Sequence, residues 1–186
     1  DNSLNILKHK TKNLRNCKIF TQKNMGSAGA TNAGIKLARM KYIKFIDADD
    51  IIIQDATISL LKILESNPNA VLAYGLQRKV TNIKLVKLKE NFDHKDYEIV
   101  TNHLKKAMRN SMFNPTQFLA RSKECKLVNG CDERIVHSQE YSLTLRLARL
   151  GSFFKLNYPI AVLPFEAPGQ ISEKKNNQIY RVSKSL

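Results

Sequence analysis

Between Cys17 and Gly75 the chain alternates short β-type runs with stretches of helical periodicity, an order that few architectures accept. Cys17-Lys18-Ile19-Phe20-Thr21-Gln22 reads as a strand. The small-residue stretch Gly26-Ser27-Ala28-Gly29-Ala30 runs into Ala33, Ile35, Leu37 and Ala38, which predicts a helix starting in a glycine-rich loop and ending near Met40. Tyr42-Ile43-Lys44-Phe45-Ile46 is a β-branched and aromatic run ending directly on Asp47-Ala48-Asp49-Asp50. Asp55 is placed to N-cap a helix through Glu65, Asn67-Pro68 stops it, and Ala70 to Gly75 forms the next strand. Strand, helix, strand, helix, strand predicts an α/β domain with a largely parallel sheet. Right-handed crossovers then bring the loops after the strands to one edge.

Beyond Gly75 the pattern loosens. Residues 76–89 alternate apolar and basic residues around Thr81-Asn82, as a hairpin would. Tyr97 to Arg109 reads as helix, Phe118-Leu119-Ala120 as a short strand, and Ser122 to Val128 as a short helix closed by Gly130. Ser138 caps a helix through Leu143, Leu147 and Leu150 to Gly151. An extended run follows from Phe153 to Phe165, then a polar tail from Ser172. The 186 residues suit one domain with one core.

Thirty-one Lys and Arg against sixteen Asp and Glu give a formal charge of +15, a surface that draws polyanions of any kind. A basic nucleic-acid-binding module would account for that charge but not for the acids. Aromatic–basic recognition motifs and zinc spacing are lacking, so no nucleic acid is expected. Cys17, Cys125 and Cys131 have no metal-ligand spacing and read as reduced thiols of a cytoplasmic protein. No apolar run approaches the roughly 20 residues that span a bilayer.

Asp47, Asp49 and Asp50 at a strand end can approach one hard cation, Mg2+ or Mn2+, which takes carboxylates together with substrate phosphates. A lone Asp-x-Asp is accounted for by a polar turn. Three acids with no basic residue among them repel one another and call for a cation. The loop from Asn24 to Gly34 permits close backbone approach and offers helix amides to an anion, yet it is neither a P-loop nor a clean dinucleotide fingerprint.

Taken together, Asn24-x-Gly26-x-x-x-Ala30-x-Asn32-x-Gly34, then Ala38, Tyr42 and Phe45-Ile46-Asp47-Ala48-Asp49-Asp50, resemble the inverting family 2 glycosyltransferases of the GT-A fold. That resemblance implies a Rossmann-like sandwich for nucleotide-diphospho-sugar transfer, with a mixed, mostly parallel sheet. It implies nucleotide-sugar contacts at Gly26, Ala30, Asn32, Asp47 and Asp49, and Mn2+ or Mg2+ on Asp49 and Asp47, with Asp50 a lesser candidate. Thr31 stands where Arg is common, and Met40 where Gly is common. Asn129-Gly130-Cys131-Asp132-Glu133-Arg134, followed by Ser138-Gln139-Glu140 and Arg146, is similar to the same family's acceptor-side region, with Cys131 in place of Phe and Gln139-Glu140 in place of Glu-Asp. By position Glu140 falls on the catalytic carboxylate. A plain helix-dipole role for Glu140 is the competing reading. Asp132 and Glu133 are candidates to shape the acceptor pocket, Arg146 to pair with a carboxylate, and His137 is incidental.

The implied partners are a nucleotide-sugar donor and a glycan or lipid-linked acceptor, with peripheral contact at the anionic inner face of the membrane. A non-catalytic fragment of such an enzyme is the remaining alternative. Asp1 to Lys8 resembles the end of a nucleotide-binding loop and its helix. The expectation is therefore a domain that lacks its first strands and is inactive by itself, with residues 1–75 as the nucleotide-sugar and metal half, 76–165 as the acceptor half and 166–186 as the tail.

Overall fold

The computed structural model describes residues 2–82, 95–135 and 139–165, without the side chain of Gln139. Its elements are α1 (Ser3–Thr11), α2 (Gly26–Leu37), β1 (Tyr42–Lys44), β2 (Ile51–Ile52), α3 (Ala56–Ser66), β3 (Ala70–Val80), β4 (Tyr97–Ile99) and α4 (His103–Arg109), followed by a 3-10 turn (Pro115–Gln117), β5 (Phe118–Arg121), α5 (Ser122–Leu127), α6 (Gln139–Leu147) and β6 (Ser152–Pro164). The strands form one mixed sheet in the order β1-β5-β3-β6-β2, with β4 also on β6.

The expected α/β class holds, but the pairing within the sheet differs from the expected parallel ladder. β3 with β6 is parallel, whereas β1–β5, β3–β5, β2–β6 and β4–β6 are antiparallel. The reason is that β5 lies between β1 and β3. Both run antiparallel to it, so the two strands keep the common direction of a crossover without touching.

Alternation along the strands builds a sandwich. Leu72, Tyr74, Phe118 and Ala120 face one layer with Ile35, Phe113, Leu143 and Phe153. Ala70, Ala73 and Leu119 face the other with Leu60, Ile63, Leu64, Ile160 and Val162. Leu60 is fully buried, and burial of such a side chain contributes about 1.5–3 kcal/mol. At Gly75 the ladder with β6 is irregular, and a Cβ would sit 2.7 Å from Ile160 Cγ2.

Four expectations are corrected. The Cys17–Gln22 run is not a strand: it has no ladder partner among the described residues, and Phe20 is 61% exposed. The Tyr97–Arg109 helix is divided, because the β6 edge takes Tyr97–Ile99 as a strand and Asn102, at φ 53°, turns the chain into α4. Asp55 makes no side-chain cap; at φ 63° it instead offers its carbonyl to Ser59 N–H and Oγ. Residues 76–80 extend β3 along β6 rather than starting a hairpin. The rest of that hairpin (83–89), the Ser138 cap, His137 and the tail fall outside the described residues. Among the described residues, no helix is long and apolar enough to cross a membrane.

Candidate active site

β1 ends at Lys44, and the chain turns back through the acids, with Asp50 N–H donating to Asp47 O at 3.2 Å. The polar turn is therefore real, and it stands at the wall of a cavity of about 440 Å3. Asp47, Lys44, Ala30, Ser27, Cys131 and Glu140 contribute to that wall. The strand end, the first turns of α2 and the start of α6 thus meet around one space.

The α2 entry follows from local chemistry. Gly26 takes φ +72°, which a side chain rarely permits, and its N–H donates to Asn24 Oδ1 at 3.0 Å. Gly29 lets the chain pass so close to Met25 that a Cβ there would lie 2.6 Å from Met25 Cβ. Ser27 and Ala30, small and one turn apart, then leave the helix start open to the cavity.

The electrostatics of the cavity are those of carboxylates held near one another. Burial, then the Asp49 and Glu140 charges, push the Asp47 carboxyl above its ordinary range, with Lys44 opposing. Asp50 is pushed up to about 6, chiefly by burial, although a hydrogen bond from Thr116 works against it. Burial lowers Lys44 to about 8 despite Asp50 and Asp47. The Lys44 ammonium donates to Thr116 O and, at 3.2 Å, to Phe45 O. Burial also raises Glu140, while its backbone hydrogen bond and Ser111 Oγ, donating to Oε1 at 3.0 Å, hold it back.

Not every expected residue joins this space. Asp47, Ala30 and Glu140 do. Asp49 is exposed in the turn, outside the cavity lining, and Gly26 acts through its backbone. Asn32 is buried and committed elsewhere: Nδ2 donates to Cys131 O at 3.0 Å and Glu133 Oε1 at 2.9 Å, while Oδ1 accepts Cys131 N–H at 2.8 Å. It clamps α2 to the turn before α6, and a Cβ on Gly130 would meet its Oδ1 at 2.2 Å. Arg146 supports the same turn through Val128 O, Gly130 O and Asp132 Oδ2. The Asp132 carboxylate is occupied by Arg134 and Arg146, which hold it well below the usual carboxylate range.

Among the described residues no group of three or more His, Cys, Asp or Glu side chains converges on a ready-made ion cage. The acid turn nevertheless fits a hard cation, since Asp50 Oδ2 is buried without a partner beside two further carboxylates. Ions of this type complete their shell with water and phosphate oxygens.

Residues that sequence reasoning passed over are Thr116, Lys44 and Ser111. Asn114-Pro115-Thr116-Gln117 carries the signal of a capped turn, but its contact with the acids spans too much chain for any local pattern to reveal. The thiols make a direct check on the packing. Cys125 and Cys131 are each pushed up to about 12 by burial, whereas Cys17 is exposed. Alkylation of the native protein at mild pH is expected to label Cys17 and spare the other two, read by peptide mass spectrometry.

The glycosyl transferase family 2 model matches residues 1–126. A chondroitin synthase of Pasteurella multocida is 28% identical over 158 residues, covering 84% of this chain and 16% of that protein. A hyaluronan synthase of the same species is also 28% identical over 158 residues, with 15% of its length covered. An uncharacterized glycosyltransferase of Rickettsia conorii is 41% identical over 63 residues, 34% of this chain and 10% of the relative. The chain therefore spans less than a fifth of these relatives' length. The crystal structure of S. aureus TarS 1-349 superposes with a TM-score of 0.66 at 16% identity, over 88% of this chain and 48% of that one, a likeness of fold. The sandwich is the GT-A fold, and with a family model matching well over half its length the chain belongs to glycosyl transferase family 2.

Proposed function

We propose that this glycosyltransferase moves a sugar, with inversion, from a nucleotide-sugar donor to a hydroxyl of a glycan or glycolipid acceptor. The observation that supports this most directly is the shared cavity, with Asp47 on one wall, Glu140 on another and the start of α2 beside them. In this reading the α2 amides and the acid turn hold the donor diphosphate. Glu140 takes the proton of the acceptor hydroxyl as that oxygen bonds to the anomeric carbon. The bond from that carbon to the diphosphate oxygen breaks, its electron pair leaves with the nucleoside diphosphate, and the attack from the opposite face inverts the centre. Asp49 and Asp47 would hold Mn2+ or Mg2+, an ion that neutralises the charge developing on the leaving group. Residues 1–75 then serve the donor and residues 76–165 the acceptor.

The relatives named as chondroitin and hyaluronan synthases support a polysaccharide product, as in cell-surface polysaccharide synthesis. The charge of +15 supports peripheral contact with anionic lipid or a phosphorylated acceptor, and α4 offers exposed Leu104 and Met108 among Lys105, Lys106 and Arg109.

Calorimetric titration with UDP- and GDP-sugars, with and without Mn2+, tests the donor side. Binding that requires Mn2+ and weakens at least about tenfold in Asp49→Ala is the expected result. Donor binding indifferent to both Mn2+ and Asp49 would sink the metal assignment.

A further inference from the structure

The acid turn has little to hold it in place. One backbone hydrogen bond, from Asp50 N–H to Asp47 O, closes it, and the residues flanking it on β1 and β2 lie in strands of three and two residues. Its second anchor comes from far along the chain. Thr116 is wholly buried, and its hydroxyl accepts Asp47 N–H at 3.0 Å. A threonine hydroxyl has one proton to give and lone pairs to receive. Its lone pairs take the Asp47 amide, and Asp47 O in turn accepts Asp50 N–H, so one buried group steadies the turn at its closing bond.

Thr116 is itself rigidly held. Its carbonyl accepts from the Lys44 ammonium. The turn it sits on is locked by Asn114 N–H to Gln117 Oε1 at 2.9 Å, and Gln117 Nε2 fastens it to Gly75 O on β3 at 2.9 Å. The anchor is thus tied to the centre of the sheet. Thr116 does not line the cavity, and Asp50 Oδ2 remains buried without a partner.

We propose that Thr116 is a positioning residue for the acid turn, fixing the Asp47 backbone so that the turn receives the diphosphate and its cation in one geometry. This rests on the donor reading above. Supporting groups of this kind affect metal affinity by about 10- to 100-fold.

Three variants separate the hydroxyl from its volume. Thr116→Val keeps the shape and loses the hydroxyl, Thr116→Ala loses it without crowding the core, and Thr116→Ser keeps it. Two measurements are made on each: amide hydrogen exchange at Asp47, and calorimetric binding of UDP and of GDP in the presence of Mn2+. The expected result is faster exchange at Asp47, with binding weaker by about 10- to 100-fold, in the Val and Ala variants. The Ser variant should recover most of both. Parent-like binding in the folded Val or Ala variant overturns the proposal, as does a Ser variant as weak as Ala. If the parent binds neither nucleotide, the donor reading fails and this inference falls with it. If the parent binds and hydroxyl loss changes nothing, the inference alone fails.

Discussion

Replacement of Glu140 by Gln lowers kcat for sugar transfer by about 10^2- to 10^4-fold, the range of a positioned general base, while nucleotide-sugar binding is retained. The asymmetry follows from the geometry. Glu140 lines the cavity from α6, apart from the acid turn, but near enough for its charge to raise the Asp47 carboxyl. Removing that charge eases ionisation at Asp47, so the donor side is expected to bind as well as before or slightly better. A mere helix-dipole role for Glu140 would be worth about 0.3–1 kcal/mol of stability and would leave kcat unchanged. Measuring kcat together with donor Kd therefore separates the two roles.

The pH profile carries an independent sign. Glu140 serves as a base only when ionised, and burial raises its carboxyl above the usual range. Activity is therefore lost as pH falls through that raised value, and the acid limb lies above the ordinary glutamate value of about 4.3. Ser111→Ala removes the donor to Oε1, which favours the ionised form. The acid limb should then move further up in pH, with the plateau little changed. An acid limb that stays in place in Ser111→Ala would argue that another group sets it.

What the sequence made legible and what it hid divide by distance along the chain. Tyr42–Ile46 running into the acids needs only a local reading, and so does the α2 entry through Gly26. The strand end and helix start were found because their residues lie close together in order. Glu140 is nearly a hundred residues from the acids, and only its family-like flank linked it to them. Thr116 and Arg121 had no such flank, and their partners are spread across the fold. Asn32 shows the opposite limit. Its place in the pattern pointed toward the nucleotide, but its amide is spent on Cys131 and Glu133 in the turn before α6. The strand errors have the same origin. Cys17–Gln22 has strand-type residues but no ladder partner among the described residues, whereas Tyr97–Ile99 was drawn from a helical pattern by a free edge of β6.

A large stability effect outside the cavity is expected at Arg121. Its side chain leaves the end of β5 and gathers carbonyls from two other elements: Nε donates to Ala70 O and NH2 to Leu64 O, each at 2.6 Å, with Asn67 O at 3.3 Å. Leu64 lies in the last turn of α3, whose carbonyls have no partner within the helix. One guanidinium therefore closes the C-terminus of α3 and ties it to the start of β3, and it also stacks 5.5 Å from the centre of the Tyr42 ring. Arg121→Ala strands these acceptors together. At about 1.5–3 kcal/mol for a hydrogen bond to a charged group, two short bonds put the net loss near 3 kcal/mol or somewhat more. In a domain of this size that lowers Tm by about 6–12 °C, measured by thermal denaturation. Arg121→Lys should recover only a minor part, because a single ammonium cannot span carbonyls that a planar fork reaches from separate nitrogens. Lys41→Ala is the control, since Lys41 is exposed and meets the same Tyr42 ring at 5.2 Å. Its removal should cost within about 0.5 kcal/mol, as surface changes usually do. Equal losses at Lys41 and Arg121 would mean that contact with Tyr42, rather than the capped carbonyls, supplies the stability.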